Sequence, residues 1–229
     1  MIISSLDKLK NYFSVFFVRF LRLIYVLKTI RFCYKAIPTY SLSKHYRVTQ
    51  EPTNPDFIYG ELSVCSFLYL LALIPKNINC KIYDLGCGDG KLLLAAVLFF
   101  KNLTAIGIEK IPDLCQVASD RITRNINRNI KKNHSCLIIL EKSFLDADFS
   151  DAHIVYINGS ALKNDTWNEL YARLQKLNPE SYVISVVRKL EDPLFRLIYA
   201  GQHTCSWGKA FVYIYQNLSN YPDIKKSKD

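Results

Sequence analysis

Three glycines and one acid form the stretch whose residue types and spacing are most suggestive of chemistry. In IYDLGCGDGK, residues 82–91, an apolar run ends at Asp84 and is followed by Gly86, Gly88 and Gly90. Glycine lets the backbone approach a ligand where a Cβ would collide, and it adopts left-handed turns at no steric cost. A bare turn needs only one glycine, so this loop predicts a ligand-binding site.

Phosphate ligands fit the loop poorly. A P-loop requires GxxxxGK followed by Ser or Thr, but Leu85 stands at the first glycine position and Leu92 follows Lys91. A dinucleotide site requires GxGxxG, and this loop is one residue shorter, with Asp89 where a pyrophosphate would lie. The acid would repel phosphates, so the loop favours a ligand that carries positive charge.

S-adenosylmethionine has the required chemistry, because it carries a sulfonium and an ammonium and has no phosphate. Asp84 or Asp89 suits its cationic methionine end. Glu109 ends the next predicted strand, 23 residues after Gly86, and a carboxylate at this place can accept hydrogen bonds from both ribose hydroxyls. The sequence therefore predicts S-adenosyl-L-methionine as the cofactor.

The segments that would position these residues alternate between strand and helix patterns. Strands are predicted at 81–85, 104–110, 136–142, 153–158 and 181–187, with a final pair near 196–205 and 210–216. Helices are predicted at 61–74, 91–100, 113–130 and 165–177, the last capped by Asp165. The alternation indicates an α/β fold, Rossmann-like and doubly wound, with a mostly parallel seven-strand sheet and helices on both faces.

The positive charge lies mainly at the N-terminus. Of the formal net charge of +10 on 229 residues, +8 belongs to residues 1–50, which hold nine Lys and Arg against Asp7. The same segment is very apolar between residues 12 and 34. Arg19 and Arg22 interrupt it, so no stretch approaches the about 18 uncharged residues of a transmembrane helix. We expect a basic, apolar helical arm over 1–50.

Several hypotheses for this arm remain open. It docks on the domain through its aromatic residues, with long cationic side chains reaching water. Alternatively, it lies on a membrane surface or acts as a targeting segment, or it holds DNA through the phosphates. Docking is favoured because the cations do not fall on a single face at helical spacing.

The seven cysteines have no CxxC pair and no Cys/His ligand spacing, and the four histidines are scattered. This pattern predicts an intracellular reducing compartment and no metal site.

Six segments, taken in chain order, resemble the disruptor-of-telomeric-silencing family of histone lysine methyltransferases, which lack a SET domain. They are Val48-Thr49, Tyr59-Gly60-Glu61, the loop from Asp84 to Gly90 with Glu109, Ser143-Phe144, Asn158, and Ser206-Trp207-Gly208-Lys209 with Tyr213. The resemblance covers roughly residues 46–216. Ser143 departs from it by replacing a family acid, and the Ser-Trp segment is one residue shorter.

The resemblance implies a class I methyltransferase domain over 51–218, followed by a solvated tail over 219–229, in a protein we expect to be a monomer. It implies that Asn158, Tyr213 and Thr49 line a lysine channel. The residues it assigns to the cofactor are Glu61 and Asp84 at the methionine end, Gly86, Gly88 and Gly90 in the loop, Glu109 at the ribose with Lys110 directly after it, and Ser143 and Phe144 at the adenine.

The acceptor implied by the family is a lysine of a histone in a nucleosome. Two alternatives stay open. One is a membrane-associated enzyme that methylates a lysine of a small membrane protein. The other is a non-catalytic module that binds S-adenosylmethionine or nucleic acid, the latter through the cations of the predicted helix 113–130 and its end: Arg121, Arg124, Arg128, Lys131 and Lys132.

Overall fold

The computed structural model describes the backbone of residues 2–35, 37–75 and 79–219, and the side chains of these residues except 2–16 and 124–132. Its helices are α1 (Ile2–Cys33), α2 (Thr39–Gln50), α3 (Val64–Leu73), α4 (Lys91–Phe99), α5 (Pro112–Lys132) and α6 (Asn164–Leu174). Two short 3-10 helices span Pro55–Phe57 and Phe144–Asp146. The predicted tail lies outside the described residues apart from Ser219.

The strands form one sheet across the described part of the chain. They are β1 (Cys80–Leu85), β2 (Leu103–Glu109), β3 (Cys136–Glu141), β4 (Ile154–Asn158), β5 (Tyr182–Val186), β6 (Phe195–Cys205) and β7 (Gly208–Asn217). The order is β3-β2-β1-β4-β5-β7-β6, with β1 to β5 parallel and β7 antiparallel to both of its neighbours. The predicted fold class is confirmed. The strand order reverses between β1 and β4, and open α/β sheets bind ligands in the crevice outside such strand ends.

Each face of the sheet is covered by helices, because side chains alternate between the faces along every strand. Ile82 and Tyr156 belong to the apolar cluster on the side of α3 and α4, whereas Leu85 and Ile157 belong to the cluster on the side of α6. Helix α4 is apolar all round because it lies between the sheet, α1 and α3. The crevice is thus held by a sheet that is buried on both faces.

The described part of α1 packs along α4. Val26, Ile30 and Cys33 are buried. Arg22 donates from Nε to the Leu98 carbonyl at 3.1 Å and from Nη2 to Asn133 Oδ1 at 2.7 Å. These contacts fix one face of α1 on the domain. Within the part of the chain that the structure describes, no helix is long and apolar enough to cross a membrane.

Two predicted helix starts differ from the structure. The helix predicted from residue 61 begins at Val64, because Ser63 caps it and Leu62 pairs with Cys205 instead. Asp165 is not the cap of α6, as it lies in the first turn. The capping carboxylate comes from Asp56, which accepts the Lys163 N–H at 2.6 Å and the Thr166 hydroxyl at 2.5 Å.

Candidate active site

A cavity of about 270 Å³ opens at the carboxyl ends of β1, β2 and β4. Its walls come from the glycine loop, from the residues that follow β2, β3 and β4, and from the segment before α3. A narrow extension of about 20 Å³ shares Tyr59, Gly86 and Asn158 with this cavity and reaches Asp84. The cavity therefore occupies the crevice that the strand order creates.

The glycine loop follows β1 with the backbone that its sequence requires. Gly86, Gly88 and Gly90 have φ angles of 87°, 57° and 73°, a region that L side chains rarely adopt. At Gly88 a Cβ would also lie 2.7 Å from the Tyr59 ring. Any side chain at Gly88 would therefore strain the loop, and it would also collide with the Tyr59 ring, which lies over the loop.

Glu109 lies at the end of β2 with a buried carboxylate. Oε2 accepts the Gly88 N–H at 2.8 Å, and Oε1 accepts the N–H groups of Lys110 at 2.8 Å and Ile111 at 2.9 Å. Burial raises the pKa of this carboxyl group, and the three N–H donors oppose that rise. A carboxylate has about four acceptor positions, so one remains, on Oε2. This geometry suits one ribose hydroxyl, where the sequence suggested two.

Asp84 is a buried acid without a partner. Its side chain lines the narrow extension, it is only 2% exposed, and it forms no hydrogen bond among the described residues. Burial, with Glu109 and Asp89 nearby, raises the pKa of Asp84 well above its usual value. A buried carboxylate is costly unless it is paired, so the extension suits a cation such as an ammonium group.

Tyr156 adds a second polar atom to the extension. Its hydroxyl is buried and lies near the Leu62 N–H without forming a hydrogen bond to it. A buried hydroxyl without a partner is unfavourable, so it too favours a polar ligand. Nothing in the sequence distinguishes this tyrosine from the core residues that flank it in β4.

The other acids near the loop are already paired. Asp89 accepts the Thr39 hydroxyl at 2.8 Å and the Lys91 N–H at 3.1 Å. Glu61 accepts the Lys91 ammonium at 2.6 Å and the Tyr59 hydroxyl at 2.7 Å. Glu61 therefore borders the extension as half of an ion pair, which leaves Asp84 as the better site for a ligand cation.

Lys91 pairs with the acids beside the glycine loop, a role that the sequence reasoning missed. It is the first residue of α4, where the helix dipole disfavours a positive charge. A lysine at that place needs nearby carboxylates, and the structure supplies Glu61 at 2.6 Å and Asp89 at 3.8 Å. The unfavourable position directly after the glycine loop was the signal that could have found it.

Residues 51–62 form a segment that crosses the cavity, and we refer to it as the cover segment. At its C-terminal end Asn158 Nδ2 donates to the Gly60 carbonyl at 2.7 Å. A Cβ at Gly60 would lie 2.4 Å from the Trp207 ring, and Ser206 Oγ accepts the Glu61 N–H at 3.1 Å. Three segments quoted from the sequence thus meet at one place.

The other end of the cover segment contacts the far wall of the cavity. Lys110 lies 3.5 Å from Glu51 Oε1 and 5.1 Å from the centre of the Phe57 ring. Asp56 reaches the start of α6, as described above. Lys110 therefore lines the cavity, and its contacts with Glu51 and Phe57 join the cavity wall to the cover segment.

Ser143 and Phe144 line the end of the cavity beyond Glu109. Ser143 Oγ accepts the Leu145 N–H at 3.1 Å and so caps the short helix that follows. Asp146, the acid closest in sequence to the departing Ser143, is exposed and does not line the cavity. The predicted adenine end is therefore built from a hydroxyl and an aromatic ring.

Two predicted channel residues do not lie in the cavity. Thr49 is exposed on α2, and its hydroxyl donates to the His45 carbonyl within the same helix at 2.9 Å. Tyr213 packs on the face of the sheet that α6 covers, with the Lys189 ammonium 5.9 Å from its ring. Side chains alternate between the two faces of the sheet along β7, so it is Val212 and not Tyr213 that lies on the face covered by α3 and α4. Both assignments to a lysine channel are therefore corrected.

The chain matches the family model described as histone methylation protein DOT1 over residues 36–201. A protein-lysine N-methyltransferase from Saccharolobus islandicus (strain REY15A) is 31% identical over 107 residues, which are 45% of this chain and 60% of that relative. The chain thus spans less than two thirds of the length of this relative.

Solved structures with the same fold include two methyltransferases. One is a SAM-dependent methyltransferase from Methanosarcina mazei, with a TM-score of 0.52 and 15% identity, covering 65% of this chain and 97% of that one. The other is the magnesium protoporphyrin IX methyltransferase of Synechocystis PCC 6803 with bound SAM, with a TM-score of 0.51 and 13% identity, covering 83% and 90%. With the family match over most of its length, the chain belongs to the DOT1 family of histone methylation proteins and has the fold of class I S-adenosylmethionine-dependent methyltransferases.

Proposed function

We propose that this protein transfers a methyl group from S-adenosylmethionine to the side-chain amine of a lysine in another protein. The main evidence for this cofactor is the pair of buried acids at the glycine loop. Asp84 has no hydrogen-bond partner among the described residues, and Glu109 ends the neighbouring strand. One acid suits the ammonium of the methionine end and the other suits a ribose hydroxyl. Membership of the family and the similarity to a protein-lysine N-methyltransferase support lysine as the acceptor.

The bound cofactor supplies a methyl group on a sulfonium, so the carbon–sulfur bonding pair leaves with sulfur and no strong base is needed. The task of the chain is to hold and align the reactants, which supplies much of the rate in such reactions. Asp84 holds the ammonium, and Asn158 fixes the cover segment through Gly60. The Tyr59 ring lies over the glycine loop and shields it from water, and an apolar entrance lowers the pKa of an incoming lysine amine.

Two classes of protein are candidates for carrying the acceptor lysine. The family description supports a histone lysine, as in a nucleosome. A lysine of a small membrane protein is a second candidate, and the exposed apolar side chains of α1 favour it. The cations of α5 that could instead bind a nucleic acid lie mostly outside the described side chains: Arg124, Arg128, Lys131 and Lys132.

The full chain should be incubated with methyl-labelled S-adenosylmethionine and, in separate reactions, nucleosomes, free histones and a membrane fraction. Digestion and mass spectrometry then locate the label. We expect it on lysine, and we expect Asp84→Asn to abolish transfer. Cofactor binding without transfer to any acceptor would indicate a binding module, and label on RNA or a small molecule would contradict the lysine assignment.

A further inference from the structure

The side of α1 that faces away from the domain is strongly apolar. We define this outer face by Phe17, Val18, Phe20, Leu21, Tyr25 and Phe32, all of which are exposed, Phe32 by 83% and Val18 by 62%. Val26, Ile30 and Cys33 bury the opposite side of the same helix. Because α1 is already docked, packing against the core cannot account for the aromatic residues of the outer face.

Three cations lie along this outer face. Lys28 and Arg31 are three residues apart on α1 and Lys35 lies in the turn that follows the helix; all three are exposed and form no salt bridge within the described residues. Arg22 is not part of this group, because it points inward to the Leu98 carbonyl. Arg19 is exposed but lies nine residues before Lys28, half a turn away around the helix, so the cations of the outer face are confined to the C-terminal part of α1 and the turn after it.

The charge of the surrounding segment has one sign. Residues 17–50 contain seven Lys and Arg and no Asp or Glu. A second copy of the chain that met this face would bring two segments of the same positive sign together, with no acid in either segment to pair the cations. DNA phosphates would pair with the cations but would leave the phenylalanine rings in water. An anionic lipid surface satisfies both, since it buries apolar side chains and attracts Lys and Arg.

The position of α2 connects this surface with the cavity. Helix α2 follows α1 directly, exposes Tyr40 and Val48, and contributes Ser43 to the cavity wall. The cover segment continues from its end. A helix is about 10–12 Å wide with its side chains, so a surface that contacts α2 lies close to the entrance of the cavity.

We infer that α1 and α2 seat the protein on an anionic membrane surface, with the outer face of α1 in the headgroup region and the cavity beside it. The contact is interfacial, and Lys28, Arg31 and Lys35 face the lipid phosphates. Membrane binding is measured without a methyl acceptor, so its failure would leave the proposed methyl transfer untouched.

Flotation of the full chain with vesicles of phosphatidylcholine, with and without phosphatidylglycerol, tests the inference. We expect binding to the anionic vesicles, and we expect Leu21→Asp/Phe32→Asp and Lys28→Glu/Arg31→Glu each to lower the bound fraction about tenfold. The matched controls are Leu197→Asp, at an exposed apolar residue of β6, and Lys176→Glu, at an exposed cation after α6. Both should bind as the wild type does.

Three results would overturn the inference. The wild type could fail to bind either vesicle although it is folded and binds S-adenosylmethionine. The α1 variants could bind as well as the wild type. In the third result the protein binds no lipid, and light scattering detects a dimer that Leu21→Asp/Phe32→Asp dissociates. The outer face would then be a contact between two copies.

Discussion

The side-chain amide of Asn158 donates a hydrogen bond to the carbonyl of Gly60 at 2.7 Å. Its Oδ1 accepts the Ser160 N–H at 3.2 Å. One asparagine at the end of β4 therefore holds both the cover segment and the loop that follows the strand. An amide can do this because it is both a donor and an acceptor.

Asn158→Asp keeps the size of this side chain but replaces its donor with an oxygen that faces the Gly60 carbonyl. We expect the cover segment to shift and methyl transfer to fall on the order of 10²-fold, because small misplacements cost that much in aligned reactions. Cofactor affinity should stay within a few-fold of the wild type. Ser160→Ala is the control, since it keeps the backbone N–H, and near-normal turnover by Asn158→Asp would contradict the positioning role.

Glu109→Gln should weaken S-adenosylmethionine binding by about 1–3 kcal/mol, the usual cost of losing a hydrogen bond to a charged group. Calorimetry measures it directly. Glu141→Gln is the matched control, because Glu141 lies opposite Glu109 in the sheet register and is exposed. Equal affinities of the two folded variants would show that Glu109 does not hold the ribose.

Asp84→Asn should stabilise the cofactor-free protein and weaken cofactor binding. Burial raises the pKa of Asp84 in the folded state, so the folded protein binds this proton more tightly than the unfolded chain does. The ionisation of Asp84 therefore lowers the free energy of unfolding by an amount that grows as the pH rises above about 4. We expect the variant to gain about 1–3 kcal/mol in the free energy of unfolding at neutral pH.

The same substitution has a signature in the pH dependence of binding. A cationic ligand pairs with ionised Asp84 and expels its proton, so wild-type affinity should rise with pH between the usual and the raised pKa. Glu109 and Asp89, which also face Asp84, share this titration. Titrations at several pH values should find a weaker rise in Asp84→Asn. A variant that is less stable and binds equally well would refute the role of Asp84.

Arg22→Met tests whether α1 is docked in solution. Arg22 satisfies the Leu98 carbonyl near the end of α4 and the Asn133 side chain, so its loss should lower the free energy of unfolding by about 1–3 kcal/mol. Arg19→Met, three residues earlier at an exposed position, should change it little. Urea unfolding compares the two, and equal stability would mean that the arm does not pack on α4.

The residues at the ends of parallel strands could be predicted from the sequence. Asp84, Glu109 and Asn158 end β1, β2 and β4 or lie one residue before the end, and the carboxyl ends of parallel strands meet at one edge of the sheet. Their proximity needs only the strand order. The apolar runs and the glycine loop predict the parallel sheet, whereas the order that places β1 between β2 and β4 comes from the structure.

The residues whose positions depend on contacts distant in sequence could not be predicted in this way. The assignment of Tyr213 failed because the facing of β7 is set by its antiparallel pairing with β5 and β6, which no local pattern reveals. Capping of α6 by Asp56 spans more than 100 residues. The outer face of α1 became recognisable only when the structure placed Arg22 inside.

The central claim is methyl transfer to lysine, and it is tested most directly by the chemical identity of the labelled product. The full chain is incubated with methyl-labelled S-adenosylmethionine and a fractionated lysate that retains nucleosomes and membranes, and the labelled protein is hydrolysed to amino acids. The account predicts label in methylated lysine, present with the wild type and absent with Asp84→Asn. Label confined to another amino acid, to nucleic acid or to a small molecule would contradict it.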